Sequence, residues 1–202
     1  MAEVGDLTAG GRHPAYQLLH ADARRLLRGL RTVDARQELV RLDMLEHLDA
    51  HAGAMAKAGP PAHFTASCLV LDATRRRVLL THHRKARQWF QLGGHLEAVD
   101  RSVRAGAERE AREESGIDGL RVTPFPVDLD RHRLVGRFGR CEEHLDIRYA
   151  ALAPAGAEPS PSEESLDVRW WPVDDLPEGT RAQLSRLVQL ARQMLTPVAG
   201  RP

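Results

Sequence analysis

Residues 93–117 read GGHLEAVDRSVRAGAEREAREESGI, and the rest of the chain is best understood outward from them. A helical pattern runs from about residue 101 to residue 115 and stops at Gly116, a residue type favoured just past a helix end. At about 100° per residue with Val103 as origin, Ala107 falls near 40° and Ala111 near 80°, which defines the buried side. Arg101, Arg104, Glu108, Arg112 and Arg109 fall between about 100° and 240°, on the solvent side. Glu110 and Glu114 land near about 340° and 20°, with Glu113 near 280°. Two carboxylates therefore share the apolar side, and a third stands at its edge.

A charge run is ordinarily a solvated helix face, and Arg104, Glu108 and Arg112 fit that description by pairing at i, i+4. Glu110 and Glu114 do not fit it. They are like charges at i, i+4, repulsive when exposed and costly when turned inward without a partner. A divalent cation resolves the conflict: carboxylates at i, i+3 and i+4 can converge on one point, and hard oxygen ligands suit Mg²⁺ or Mn²⁺.

Upstream of this helix, residues 63–72 and 77–82 read as two strands joined by a turn at 73–76, followed by a loop carrying Trp89 and Phe90. Downstream, strands are expected at 120–127, 145–152 and 166–171, a surface loop at 154–163 and an amphipathic helix at 181–195. Gly59-Pro60-Pro61 marks a boundary. Before it, Leu19, Ala23, Leu26, Leu27 and Leu30 form one helical stripe, with Leu18 and Asp22 at its edge, and Leu39, Leu42, Leu45 and Leu48 form another. The expected organisation is a tail at 1–12, a helical extension at 13–60 and one α/β (α+β) domain at 61–202.

Composition narrows the classes. A net charge of +1 on 202 residues argues against coating nucleic acid or an anionic membrane. Cys68 and Cys141 match no metal or redox spacing, so a reducing compartment is expected, with Cys68 a small buried hydrophobe. No stretch reaches the 18 or so apolar residues of a spanning helix, and the first residues lack a secretory pattern, so a cytoplasmic protein is expected.

The central stretch resembles the signature of the Nudix hydrolases, G-x5-E-x7-R-E-U-x-E-E-x-G-U, where U is a bulky aliphatic residue. Arg109, Glu110, Ala111, Glu113, Glu114, Gly116 and Ile117 match its second half, and Gly94 its first. Asp100 stands where the family has Glu, Ala111 is small for its position, and one extra residue precedes Arg109. Gly106, inside the helix, permits close packing at a cost of about 1 kcal/mol relative to Ala. THHRKARQWFQLGGH (81–95) and SEESLDVRWWPVDDLPEG (162–179) are similar to the family's flanking segments, so the resemblance covers about residues 61–195. It implies a Nudix-like α/β/α sandwich with a mixed sheet, preceded here by the helical extension.

The resemblance further implies that Glu110, Glu113 and Glu114 bind Mg²⁺ or Mn²⁺, helped by the Gly94 carbonyl, and that Arg109 orients a carboxylate, either a box Glu or Asp100. The implied reaction is hydrolysis of a phosphoanhydride in a nucleoside diphosphate linked to another moiety. A box carboxylate, Glu142, Glu143 or Glu164 would accept the proton. Arg84, Lys85 and Arg87 could grip phosphates or form a solvated turn. Trp89 and Phe90 could stack on a base or pack in the core. His82, His83, His95 and His144 show no zinc spacing and read as structural, with His95 set apart because it adjoins Gly94. Trp170 and Trp171 read as packing.

The alternative class is a nucleotide-sensing module that binds without cleaving, although such modules usually carry eroded box carboxylates. An isoprenyl-diphosphate isomerase would need a catalytic cysteine in a motif that neither Cys68 nor Cys141 provides. The expected partner is a small nucleoside diphosphate derivative, with no membrane, no nucleic acid beyond a capped RNA end, and a homodimer as one use of the leucine stripe.

Overall fold

The computed structural model describes residues 13–134, 140–163, 165–178, 180 and 182–196. The expected tail at 1–12 and the candidate base Glu164 lie outside them. The elements in chain order are α1 (Pro14–Gly29), α2 (Ala35–Ala50), β1 (Ala62–Leu71), β2 (Arg77–His83), β3 (Trp89–Phe90), β4 (Leu92–His95), α3 (Val103–Ser115), β5 (Arg121–Val122), β6 (Asp128–Arg133), β7 (Glu143–Leu152), β8 (Ser165–Pro172) and α4 (Ala182–Leu195). The strands form one mixed sheet with the path β3-β2-β1-β7-β5; β4 pairs with β1, β6 with β7 and β8 with β2. No helix among the described residues is long and apolar enough to cross a membrane.

The chain divides into two compact units. The first comprises residues 1–66, 95–106 and 129–147. In it α1 starts at a His13 cap with Pro14 following, where the missing N–H costs nothing. Its buried face is Leu19, Ala23 and Leu27, as its stripe predicts, while Leu18 is 71% exposed. The Asp34 side chain caps α2 by accepting from the Gln37 N–H at 2.8 Å. The α2 stripe differs from expectation: Gln37, Met44 and Leu48 are buried, whereas Leu39 and Leu42 are 68% and 50% exposed. Leucine spacing alone misplaced that face, because Arg41 turns inward to donate to the Leu27 carbonyl at 3.1 Å and to clasp Glu38. Arg36 reaches Asp130 at 2.7 Å and the Leu129 carbonyl at 3.2 Å.

One contact gives the helical extension a specific task. The Val103 N–H, first in α3, donates to the Asp22 carboxylate of α1 at 2.9 Å. Helix N-termini carry unsatisfied N–H groups and partial positive charge, and both favour a carboxylate. Ser102 adds a second cap by accepting from the Ala105 N–H at 3.1 Å. Asp22→Ala is expected to destabilise the protein by about 1 kcal/mol, the usual cost of a lost cap. Asp22→Asn, which keeps an acceptor, should lose less. Urea denaturation of the two variants decides the matter, and equal losses would remove the capping role.

The second unit comprises residues 67–94, 107–128 and 148–202. Asp72 shapes the β1–β2 turn, accepting from the N–H groups of Arg76 and Arg77 and from the Thr74 hydroxyl. Its carboxyl is held below the usual range by these hydrogen bonds, which outweigh the opposing burial. β2 pairs antiparallel with β8 from Arg77↔Pro172 to His83↔Ser165, with an irregularity at His82/His83. Leu69, Leu71, Val78, Leu80, Leu184 and Leu187 are buried together, so α4 covers this stretch of sheet, and Trp89 and Trp171 pack against the cluster.

The strand expected at 120–127 is confined to the two residues of β5, while β6 was not anticipated. The sequence of β6, DLDRHR, lacks the apolar alternation of a strand. Its aspartates are nevertheless buried: Asp130 pairs with Arg36 and with His132 at 2.9 Å, and Asp128 lies 3.7 Å from Arg148 and 3.6 Å from Arg186.

Candidate active site

β4 and α3 build the site. Gly93 adopts φ 152°, a region L side chains rarely enter, and its N–H donates to the Glu114 carboxylate at 2.8 Å. A Cβ on Gly94 would lie 2.8–2.9 Å from the three carboxylate atoms of Glu110. Both inward carboxylates of α3 thus close on the Gly93–Gly94 backbone. Val103, Ala107 and Ala111 are each fully buried, confirming the apolar side of the helix. Glu114 is buried at 8%, and the side chains of Glu110 and Glu113 are 16% and 53% exposed. Helical periodicity therefore placed all three correctly. Gly116 ends the helix at φ 67°, its N–H bonded to the Arg112 carbonyl at 2.8 Å.

Arg109 departs from the helical-wheel reading. Its side chain is only 11% exposed, and one terminal nitrogen bonds both Glu110 and Glu113 at 3.0 Å. The wheel fixes where Cβ points, but a long arginine arm can fold back along the helix to an i+4 partner. Both of these partners are carboxylates of the signature. Asp100 is buried at 7% and accepts from the Glu97 N–H at 2.8 Å, while its own N–H donates to the Glu97 carbonyl at 3.0 Å. It closes the loop that leads into α3. A Cβ on Gly106 would come within 2.5 Å of the Leu96 side chain and 3.0 Å of the Asp100 carboxylate, which accounts for glycine inside this helix.

The remaining candidates are placed as follows. Arg84 donates to the carbonyls of Glu163 and Ser165, both at 3.1 Å, and Lys85 and Arg87 are exposed. Trp89 stacks on His82 at 5.0 Å and meets Trp171 edge-on at 5.3 Å; Phe90 meets His83 edge-on at 6.3 Å. Trp89 and Trp171 thus pack against one another beside the buried cluster of this unit. Glu142 is exposed. Glu143 bonds Arg131 at 2.6 Å, and this guanidinium holds its carboxyl below the usual range.

The sequence reading did not anticipate a cluster in the first unit. His63 of β1, His95 of β4, Cys141 and His144 of β7 bring one ligand atom each to within 4.8 Å of one another. The local signal was Cys141-x-x-His144, half of a metal-binding spacing; its complements lie far away in sequence. Burial pushes His95 down to about 3 and His144 to about 4, with Lys57 and the neighbouring histidines adding to the shift. Burial also lowers His63.

A pH dependence follows. An unfolded histidine takes up its proton near pH 6.5, whereas these folded ones stay neutral until well below it. Within that window the unfolded state binds more protons, so stability falls as pH falls and is unpenalised above it. Each such group steepens the decline by up to about 1.4 kcal/mol per pH unit. Urea midpoints of the chelator-stripped protein should drop between about pH 7.5 and pH 5, above the carboxylate range, and His144→Asn should flatten the slope. An unchanged slope in that variant would sink the prediction.

Comparison with known proteins agrees with this architecture. The family model described as the NUDIX domain matches residues 61–191. Among solved structures, a C. elegans Ap4A hydrolase binary complex is similar at 15% identity and TM-score 0.53, covering 65% of this chain and 96% of that one. The NUDIX domain of Shewanella oneidensis NrtR complexed with ADP ribose gives 20% and 0.52, covering 66% and 88%. The E. coli dihydroneopterin triphosphate pyrophosphohydrolase gives 17% and 0.52, covering 66% and 93%. At these identities the likeness is one of fold. None of the curated proteins matches the chain.

Proposed function

The chain belongs to the Nudix hydrolase family, and from that membership we propose that it is a metal-dependent hydrolase of a phosphoanhydride bond in a nucleoside diphosphate linked to another moiety. The observation that carries the reading is the closure of Glu110 and Glu114 on the Gly93–Gly94 backbone, with Arg109 bridging Glu110 to Glu113. The donor set is all oxygen and anionic, which fits Mg²⁺ or Mn²⁺. Glu110, Glu113, Glu114 and the Gly94 carbonyl would hold the cation. Bound there, it supplies neutralisation of the diphosphate oxygens and a lowered pKa for water.

The protein's own part is positional. The Gly93 N–H fixes the Glu114 carboxylate, and Arg109 sets the spacing of Glu110 and Glu113. A box carboxylate or exposed Glu142 accepts the proton of the attacking water. Glu143 is a weaker candidate, since its bond to Arg131 lowers its affinity for a proton and occupies its carboxylate. Exposed Lys85 and Arg87 are proposed to contact phosphates, and Phe90 a base.

The substrate class extends to molecules such as ADP-ribose, dinucleoside polyphosphates, nucleoside triphosphates, nucleotide sugars and a capped RNA end. We place the enzyme in the cytoplasm, with residues 13–60 as its helical extension and 61–202 as its catalytic domain. Exposed Leu18, Leu39 and Leu42 offer a homodimer contact. A phosphate-release screen of nucleoside diphosphate derivatives, with Mg²⁺ and then Mn²⁺, tests the reading. Cleavage that stops on chelation is expected; tight nucleotide binding with no cleavage would replace the enzyme with a sensing module.

A further inference from the structure

We propose that His63, His95, Cys141 and His144 form a structural zinc site, with a donor set distinct from the carboxylates of the proposed hydrolase site. The ligand types differ in kind. Three imidazoles and a thiol are borderline-to-soft donors that select Zn²⁺ over Mg²⁺, and four protein ligands make a closed, structural centre.

The geometry is close to what such a centre needs. Tetrahedral zinc with Zn–N of about 2.05 Å and Zn–S of about 2.3 Å places nitrogens about 3.3 Å apart and sulfur about 3.6 Å from nitrogen. Here His63 Nε2 and His95 Nε2 are 3.1 Å apart, and Cys141 Sγ is 3.9 Å from His95 Nε2. No pair of the four ligand atoms exceeds 4.8 Å.

The supporting bonds prepare the ligands. The Pro60 carbonyl can only accept, so His63 Nδ1 at 3.0 Å carries the proton and its Nε2 presents a lone pair. His144 Nε2 is buried with no hydrogen-bond partner among the described residues. A buried, unsatisfied ring nitrogen is costly unless something binds it. The Cys141 loop is pinned at its base, with the Glu142 and Glu143 N–H groups donating to the Pro61 carbonyl at 2.9 and 3.3 Å. That carbonyl lies two residues before His63, so both halves of the cluster are tied to one backbone point.

Cobalt titration of the full-length, reduced, chelator-stripped protein in excess Mg²⁺ tests the proposal. Magnesium occupies the carboxylates, and Co²⁺ reports the soft site by its tetrahedral visible bands and a thiolate-to-cobalt charge-transfer band. The expected result is saturation at one ion per chain and bleaching by Zn²⁺. In Cys141→Ser the charge-transfer band should vanish and affinity fall by at least about tenfold, as ligand-shell changes do. His144→Asn, a second variant should the first not fold, should weaken the visible bands with the charge-transfer band retained in proportion. A wild-type protein with no charge-transfer band, or a band that survives Cys141→Ser, would overturn the site.

Discussion

Glu114→Gln lowers kcat by on the order of 10³-fold, a size typical of removing a charge aimed at the reacting centre. The substitution is chosen for what it preserves. Glutamine keeps an oxygen that can accept the Gly93 N–H, so the 2.8 Å bond that ties α3 to β4 survives. Volume is nearly unchanged and one negative charge is lost. Because Glu114 and Glu110 are like charges on the same helix side, the cation-free variant should be no less stable than wild type. The paired measurements are turnover on the best substrate of the screen and thermal denaturation without divalent cations. Full activity in the variant would remove Glu114 from the machinery.

Gly94→Ala is expected to cost on the order of 10²-fold in activity, because a displacement of about 1 Å at a reacting group costs that much. Its Cβ would stand 2.8–2.9 Å from all three carboxylate atoms of Glu110. Real contacts are never that short, so the carboxylate must move. Since the obstacle is the far end of a flexible side chain, the fold should lose little, within about 0.5 kcal/mol. A double variant separates the effects. If Gly94→Ala acts only by displacing Glu110, adding Glu110→Ala lowers activity no further than Glu110→Ala alone. Additive losses would assign Gly94 a contribution of its own.

Local periodicity made the centre of the molecule legible. Val103, Ala107 and Ala111 are buried at the predicted helical spacing, and Glu110, Glu113 and Glu114 follow from the same arithmetic. The first two strands were readable because β1, mid-sheet, is almost entirely buried and ends in the apolar run Cys68 to Leu71, and because Asp72 writes a turn between it and β2. What escaped the reading depends on distant partners. β6 buries aspartates whose cations come from Arg36, Arg148 and Arg186. Asp22 interrupts a leucine stripe and finds its reason 81 residues later, at Val103. His63 and His95 gain their meaning only beside Cys141 and His144. No window of a dozen residues contains these pairs.

The reach of those partnerships has a consequence for the chain as it is made. α1 and α2 leave the ribosome before their partners do: Asp22 waits 81 residues for Val103 and Arg36 waits 94 for Asp130. At about 5–20 residues per second that is roughly 4–20 s of synthesis. Through that interval Leu19, Leu27 and Met44, which end up fully enclosed, have only each other for cover. The nascent helical pair is thus a natural client for a chaperone until those later partners have been synthesised.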